Sequence, residues 1–294
     1  MRKNIFSGTG VALITPFKLD YSIDYQRIND LVERLINNGI GYIVALGTTA
    51  ETPALTLEER NNVLKTVVNA VKKRIPIVAG IGGNHLKDIE EQLQLFDLSS
   101  VAAILSVTPY YNRPSQSGLV AYYKAIADMT DLPLLLYNVP KRTGTNLEAA
   151  TTLKIADEIP SVIGVKEASG KWEQMMEILR YRRDDFLLIS GDDALTLPLL
   201  ACGADGVISV IANAFPKQFS DMVAFALNGD IKNAQQLNNF LFEIYKNSVE
   251  GGSPAGIKCF LAQMGYIDEI LRLPLLPVNE QIRNVICSLI NGIQ

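Results

Sequence analysis

Eight short apolar runs of β type alternate with amphipathic stretches of ten or more residues, and this alternation constrains the fold of the 294-residue chain more than any other feature. The runs are GVALIT at 10–15, YIVAL at 42–46, IPIVAGI at 75–81, AAILSV at 102–107, LPLLLYN at 132–138, SVIGVK at 161–166, FLLIS at 186–190 and GVISV at 206–210. They are continuously apolar rather than alternating, the pattern of parallel strands buried on both faces. Between them lie helical patterns such as 24–37 and 57–72, the second opened by a capping box with Thr56 at the N-cap and Glu59 three residues on. Strand starts recur at about 20 to 35 residues, the length of one βα unit. Eight such units close most economically into an α/β (β/α)8 TIM barrel, with a doubly wound open sheet as the alternative.

After residue 228 the strand pattern stops. Three helical segments follow, at about 230–248, 254–265 and 279–292, separated by Gly251-Gly252-Ser253-Pro254 and by Leu273-Pro274-Leu275-Leu276-Pro277. The expected organisation is a catalytic barrel over 1–228 and a C-terminal helical domain of three helices over 229–294.

Composition removes several function classes. A single histidine, His85, and three widely spaced cysteines make a histidine-rich metal centre, a four-cysteine zinc site or a disulfide framework hard to assemble. With 27 Lys+Arg against 31 Asp+Glu, the net charge of −4 provides no basic footprint for nucleic acid. No run of about 18 apolar residues is present to span a membrane. The stretch after Arg2 and Lys3 is too short for a signal-peptide core. Cys202, Cys259 and Cys287 lie in apolar, helix-like contexts and read as reduced, buried hydrophobes, which fits a cytoplasmic protein.

In a barrel the chemistry belongs where strands end, and these ends are rich in hydroxyls and glycine. Lys166 closes the sixth run. By the two-residue period it shares a face with Val162 and Gly164, and the latter is expected to leave room beside the amine. At an apolar lumen mouth, desolvation disfavours the ammonium and leaves some neutral amine, which can attack a carbonyl and form a Schiff base; a strand-end lysine reaching to solvent is the competing reading. Tyr137 ends the neighbouring run and its phenol can move protons, a task more often given to histidine. Thr48 and Thr49 offer hydroxyls and backbone N–H groups to a small carboxylate. Arg142 can clamp a second carboxylate or lie solvated in its loop.

Three further features read as structural. Gly80-Ile81-Gly82-Gly83 is an incomplete phosphate loop that lets the third run turn tightly into its helix. His85 is a surface or capping residue. Asp192-Asp193 lacks the partners of a metal site and fits helix N-capping.

Taken together, the strand-end motifs are specific. Gly-Thr-Thr-x-Glu at 47–51, Thr-Pro-Tyr-Tyr-Asn at 108–112, Tyr-Asn-Val-Pro at 137–140 with Arg-Thr-Gly at 142–144, Gly-Val-Lys-Glu-Ala at 164–168, Ser-Gly-Asp-Asp at 190–193 and Gly-Val-Ile-Ser-Val at 206–210 closely resemble the dihydrodipicolinate synthase family of pyruvate-dependent lysine aldolases. The resemblance extends to Leu271-Arg272-Leu273-Pro274 and covers essentially the whole chain. It implies a lyase that condenses pyruvate, as a Schiff base on Lys166, with L-aspartate 4-semialdehyde to 4-hydroxy-tetrahydrodipicolinate, on the way to diaminopimelate and lysine. Tyr137, Thr48 and Tyr111 would form a hydroxyl relay, with Tyr111 reaching into a neighbouring subunit of a homotetramer built as a dimer of dimers. Thr48 and Thr49 would hold the pyruvate carboxylate, Arg142 the carboxylate of the semialdehyde, and Gly191 and Ile208 would line the pocket. No metal, organic cofactor, nucleic acid or membrane is implied.

The family also carries a lysine feedback site. Asn84 and Tyr110 match it, Asp88 stands for the usual Glu, Thr52 belongs to the same region, and Arg60 replaces the His of lysine-sensitive members. A fixed cation at Arg60 implies weak or absent feedback inhibition. Ala50 stands where the family usually has Gly, adding a methyl beside the carboxylate site. The rival readings are an aldolase for a 2-keto-3-deoxy sugar acid or N-acetylneuraminate, and a catalytically silent barrel that binds a keto acid.

Overall fold

The computed structural model describes residues 5–250 and 252–293. Eight parallel strands close into one barrel in chain order: β1 (Gly8–Ala12), β2 (Tyr42–Ala45), β3 (Ile77–Gly80), β4 (Ala103–Val107), β5 (Leu134–Asn138), β6 (Val162–Glu167), β7 (Leu187–Ser190) and β8 (Gly206–Ser209). Each of the eight apolar runs supplies one strand, and β1 pairs with β8 to complete the circle. The open sheet is thereby excluded.

Helices α1 (Tyr25–Asn37), α2 (Leu57–Val71), α3 (Leu86–Leu95), α4 (Gln116–Ala127), the short α5 (Pro140–Thr143), α6 (Ala149–Glu158), α7 (Trp172–Tyr181), α8 (Thr196–Ala201) and α9 (Pro216–Leu227) follow the strands; α10 (Ile231–Glu250), α11 (Ala255–Gln263) and α12 (Glu280–Ile293) form the C-terminal part. Their faces follow from sequence period. In α1 the buried residues Ile28, Leu31, Val32 and Leu35 form one stripe, and burial of each such side chain contributes about 1.5–3 kcal/mol. Asp24 caps α1 by accepting from the Arg27 N–H, and both halves of the Thr56/Glu59 capping box form at α2. The break between α10 and α11 contains Gly252 to Pro254, while Gly251 lies outside the described residues.

Two apolar layers result. One fills the lumen with Ala12, Tyr42, Val44, Val78, Leu105, Leu135, Tyr137, Ile189 and Ile208. The other lies between strands and helices and continues without a break into Leu241, Ile244, Ile257 and Phe260 of the C-terminal helices. Among the described residues no helix is long and apolar enough to cross a membrane.

Two sequence expectations fail here. Only Cys259 is buried; Cys202, at the end of α8 where the chain turns outward, is exposed, and Cys287 is partly exposed. The alternation in β6 breaks near its start: Leu134 is opposite Val162 but Leu135 is opposite Gly164, so Ile163 is an extra residue. This bulge turns Val162 to the outer layer and Ile163 to the lumen. Lys166 shares its face with Gly164 and not with Val162, because one inserted residue flips every side chain on one side of it.

Candidate active site

Because all eight strands are parallel, their C-terminal ends open on one mouth, and the strand-end motifs converge there. Lys166 is opposite Tyr137 of β5 and Ile189 of β7, and only 5% of it is exposed. Its Nζ lies 4.4 Å from the centroid of the Tyr137 ring. The amine lies over the ring face, within an otherwise apolar lumen. The amine and the phenol are thus held side by side by strand pairing.

The space for the lysine chain comes from Gly191 rather than Gly164. A Cβ on Gly191 would lie 3.1 Å from Lys166 Cε, whereas one on Gly164 would meet Leu187 Cβ at 2.7 Å, so Gly164 permits close approach of β6 and β7. Ile208 lies in the lumen layer. Gly80 likewise serves packing more than a turn, since a Cβ there would come 2.2 Å from the carbonyl oxygen of Leu46.

The segment after β2 forms two successive 3-10 turns, Thr48–Ala50 and Thr52–Ala54. The carbonyls of Gly47, Thr48 and Ala50 are engaged, respectively by the Ala50 N–H and the Thr52 hydroxyl, by the Glu51 N–H, and by the Thr15 hydroxyl. The hydroxyls of Thr48 and Thr49 form no hydrogen bond among the described residues. With three of its carbonyls occupied and the two threonine hydroxyls free, the turn suits an anion. Ala50 is buried.

Glu51 was present in the sequence motif without a role. It is 2% exposed, has a left-handed backbone (φ 55°), and its carboxylate pairs with Lys258 of α11 and accepts from the Arg272 N–H at 3.0 Å. No local signal connects residues so far apart. Glu167 is also buried, on the outer side of β6, and accepts from Asn138, Gln174 and the Ser169 N–H at 2.7–3.0 Å.

Arg142 lies on α5 and reaches the C-terminal part, where it donates to the Ser253 carbonyl at 3.0 Å; it is exposed at the mouth. Tyr111 is 90% exposed with φ 68°, and its N–H donates to the Thr143 carbonyl at 3.3 Å.

Asp192-Asp193 does not cap α8, whose N-cap residue is Leu195. Asp192 accepts from the Ala194 N–H, and Asp193 accepts from the Val210 and Ile211 N–H groups at 3.1 and 3.0 Å. It therefore caps the 3-10 turn Ile211–Asn213 after β8, an acceptor delivered across the barrel rim rather than along the chain. Burial raises its carboxyl to about 6, against the hydrogen bonds from Ser209, Ile211 and Val210. Among the described residues no group of three or more His, Cys, Asp or Glu side chains is arranged for a metal ion.

The candidate effector residues fall into three contacts. The Tyr110 N–H donates to Asn84 Oδ1 at 2.8 Å, and Asn84 lines a cavity of about 390 Å3 with Pro109, Asn112 and Tyr122. Arg60 is half-buried, donates through Nε to the carbonyls of Thr52 and Leu55, and lies within electrostatic reach of Tyr110. Asp88 turns away to His85, which occupies the N-cap position of α3.

The model of the dihydrodipicolinate synthetase family matches residues 5–292. The chain is 51% identical to the 4-hydroxy-tetrahydrodipicolinate synthase of Parabacteroides distasonis over 96% of each chain, and 47% identical to that of Azobacteroides pseudotrichonymphae over 95% of each. Among solved structures it superposes on the Acinetobacter baumannii dihydrodipicolinate synthase complexed with pyruvate, with a TM-score of 0.94 and 39% identity, covering 98% of this chain and 99% of the other.

Proposed function

The chain belongs to the dihydrodipicolinate synthetase family, and we propose that it condenses pyruvate with L-aspartate 4-semialdehyde to 4-hydroxy-tetrahydrodipicolinate through a Schiff base on Lys166. The observation that carries this reading is the placement of a buried lysine amine 4.4 Å from the centroid of the Tyr137 ring at the barrel mouth. The neutral amine attacks the C2 carbonyl of pyruvate, and loss of water forms the imine. Loss of a C3 proton then gives an enamine, whose C3 attacks the aldehyde. The amino nitrogen of the semialdehyde closes the ring onto C2 and expels Lys166.

Each step needs a proton moved, and Tyr137 is the residue opposite Lys166 on the adjoining strand β5. Thr48 extends the relay, and Tyr111 of a neighbouring subunit completes it, which its exposure supports. The free donors of Thr48 and Thr49 bind the pyruvate carboxylate. Arg142 binds that of the semialdehyde, with Gly191 and Ile208 shaping the pocket. The working form is a cytoplasmic homotetramer, a dimer of dimers, of a lyase that needs no metal or organic cofactor. The proposed division is a catalytic barrel up to residue 228 and a helical domain from residue 229, with residues 1–4, 251 and 294 outside the described ones.

Borohydride reduction in the presence of pyruvate, followed by peptide mass analysis, tests the covalent step. An adduct on Lys166 is expected, and its absence overturns the mechanism. A turnover assay with the semialdehyde then separates a synthase from an aldolase for 2-keto-3-deoxy sugar acids or a silent keto-acid binder.

A further inference from the structure

The turn that offers Thr48 and Thr49 is flanked by two non-glycine residues with left-handed backbone, Leu46 (φ 59°) and Glu51 (φ 55°). Such residues persist only where the surroundings over-determine them. At Glu51 the constraint comes from the far end of the chain. Its carboxylate pairs with Lys258 Nζ, both side chains being fully buried. Nζ also donates to the Ile270 carbonyl at 2.9 Å and lies 4.2 Å from the centroid of the Phe17 ring. The second carboxylate oxygen accepts from the Arg272 N–H. The Arg272 guanidinium in turn grips Glu59 and the carbonyls of Ala54 and Tyr21.

A buried ion pair is an inefficient fastener, because apolar side chains of similar volume join two elements without desolvating charges. What the pair supplies is direction: a buried carboxylate held on one oxygen by Lys258 and on the other by the Arg272 N–H locks the backbone that carries it. We infer that Lys258, through Glu51, is a positioning residue that holds the Thr48–Thr49 turn in the geometry that binds the pyruvate carboxylate. The C-terminal helices thereby set substrate affinity at a mouth built by the barrel. This inference rests on the reading of Thr48 and Thr49 as the carboxylate site.

The test measures steady-state kinetics of the full chain in Lys258→Met and in the double variant Glu51→Gln/Lys258→Met, with thermal melts to establish folding. A misplaced turn raises the KM for pyruvate by about tenfold or more and lowers kcat too, because Thr48 of the relay moves with it, while the KM for the semialdehyde stays within about twofold. A purely structural pair lowers the folded fraction, so kcat falls with the pyruvate KM unchanged, and that result overturns the inference. Where the single variant leaves an unpaired buried carboxylate and fails to fold, the double variant, which removes both charges, provides the measurement. Thr49→Val separates the two readings. If it raises the pyruvate KM and the Lys258 variants do not, positioning fails alone; if it leaves that KM unchanged, the carboxylate reading fails and the inference falls with it.

Discussion

Replacing Gly191 with alanine places a methyl group against the Lys166 side chain in the proposed site. The new Cβ would lie 2.7 Å from Ala168 Cβ, 3.1 Å from Lys166 Cε and 3.1 Å from the Glu167 carbonyl oxygen. Carbon atoms rest at about 3.5–4.0 Å, so the Ala168 methyl must recede by about 1 Å and the lysine chain by about half as much. The backbones on either side do not move freely. The Ala168 N–H is bonded to the Asn138 carbonyl at 2.9 Å, and the Gly191 N–H to the Glu167 carbonyl at 2.8 Å. Overpacking of this kind costs about 1–3 kcal/mol, a few degrees in melting temperature for a chain of this size. The larger effect is on chemistry, since displacement of a reacting group by about 1 Å can slow a reaction about a hundredfold. The assay is the rate of formation of the borohydride-trapped pyruvate adduct in Gly191→Ala, with Gly83→Ala, whose Cβ meets nothing within 4 Å, as the control. The expected outcome is adduct formation slowed by more than about tenfold with only a modest loss of stability. An adduct rate equal to that of the unsubstituted chain would show that Gly191 does not make room for Lys166 and refute the reasoning.

Arg142→Ala should lower kcat/KM for the semialdehyde by about 10- to 150-fold, the loss of about 1.5–3 kcal/mol of charge-assisted hydrogen bonding, and leave the pyruvate KM nearly unchanged; an equal loss on both substrates defeats the assignment. Added L-lysine should leave the initial rate unaffected up to about 1 mM, because the Arg60 guanidinium repels the ligand's ammonium, and half-inhibition below that concentration contradicts it. Asp193 makes stability depend on pH. Its carboxyl is raised to about 6 in the fold, chiefly by burial, against about 3.9 when unfolded, so the folded state holds the proton more tightly. The stability this confers is complete below about pH 4 and is lost as pH rises through 6, about 3 kcal/mol in all. Asp193→Asn, which does not ionise, should therefore gain on the unsubstituted chain by several degrees in melts compared at about pH 4.5 and 7.5; a pH-independent difference rules this out.

The barrel was legible in the sequence because its determinants are local. Continuous apolar strands, the Ile28, Leu31, Val32, Leu35 stripe and the Thr56/Glu59 capping box each act within a few residues. Eight repeats of that pattern leave few ways to bury every face. The candidate site was legible for the same reason: Lys166, Tyr137 and Thr48 follow apolar runs directly, and parallel strands deliver such residues to a common mouth.

What the tertiary structure alone decided depends on pairings between distant segments. The bulge at Ile163 arises from the register of β6 against β5, which no period within β6 records. Asp193 caps a turn that begins after another strand, so its local context suggested the wrong helix. Space for Lys166 comes from Gly191 because β7 packs beside β6. The Glu51–Lys258 pair joins residues 207 apart, and its formation required the C-terminal helices to dock against the closed barrel. Local chemistry sufficed to place Lys166, Tyr137 and Thr48 at the mouth; their clearances and fixed orientations are products of closure, where the position of each atom depends on chain segments that the sequence does not place side by side.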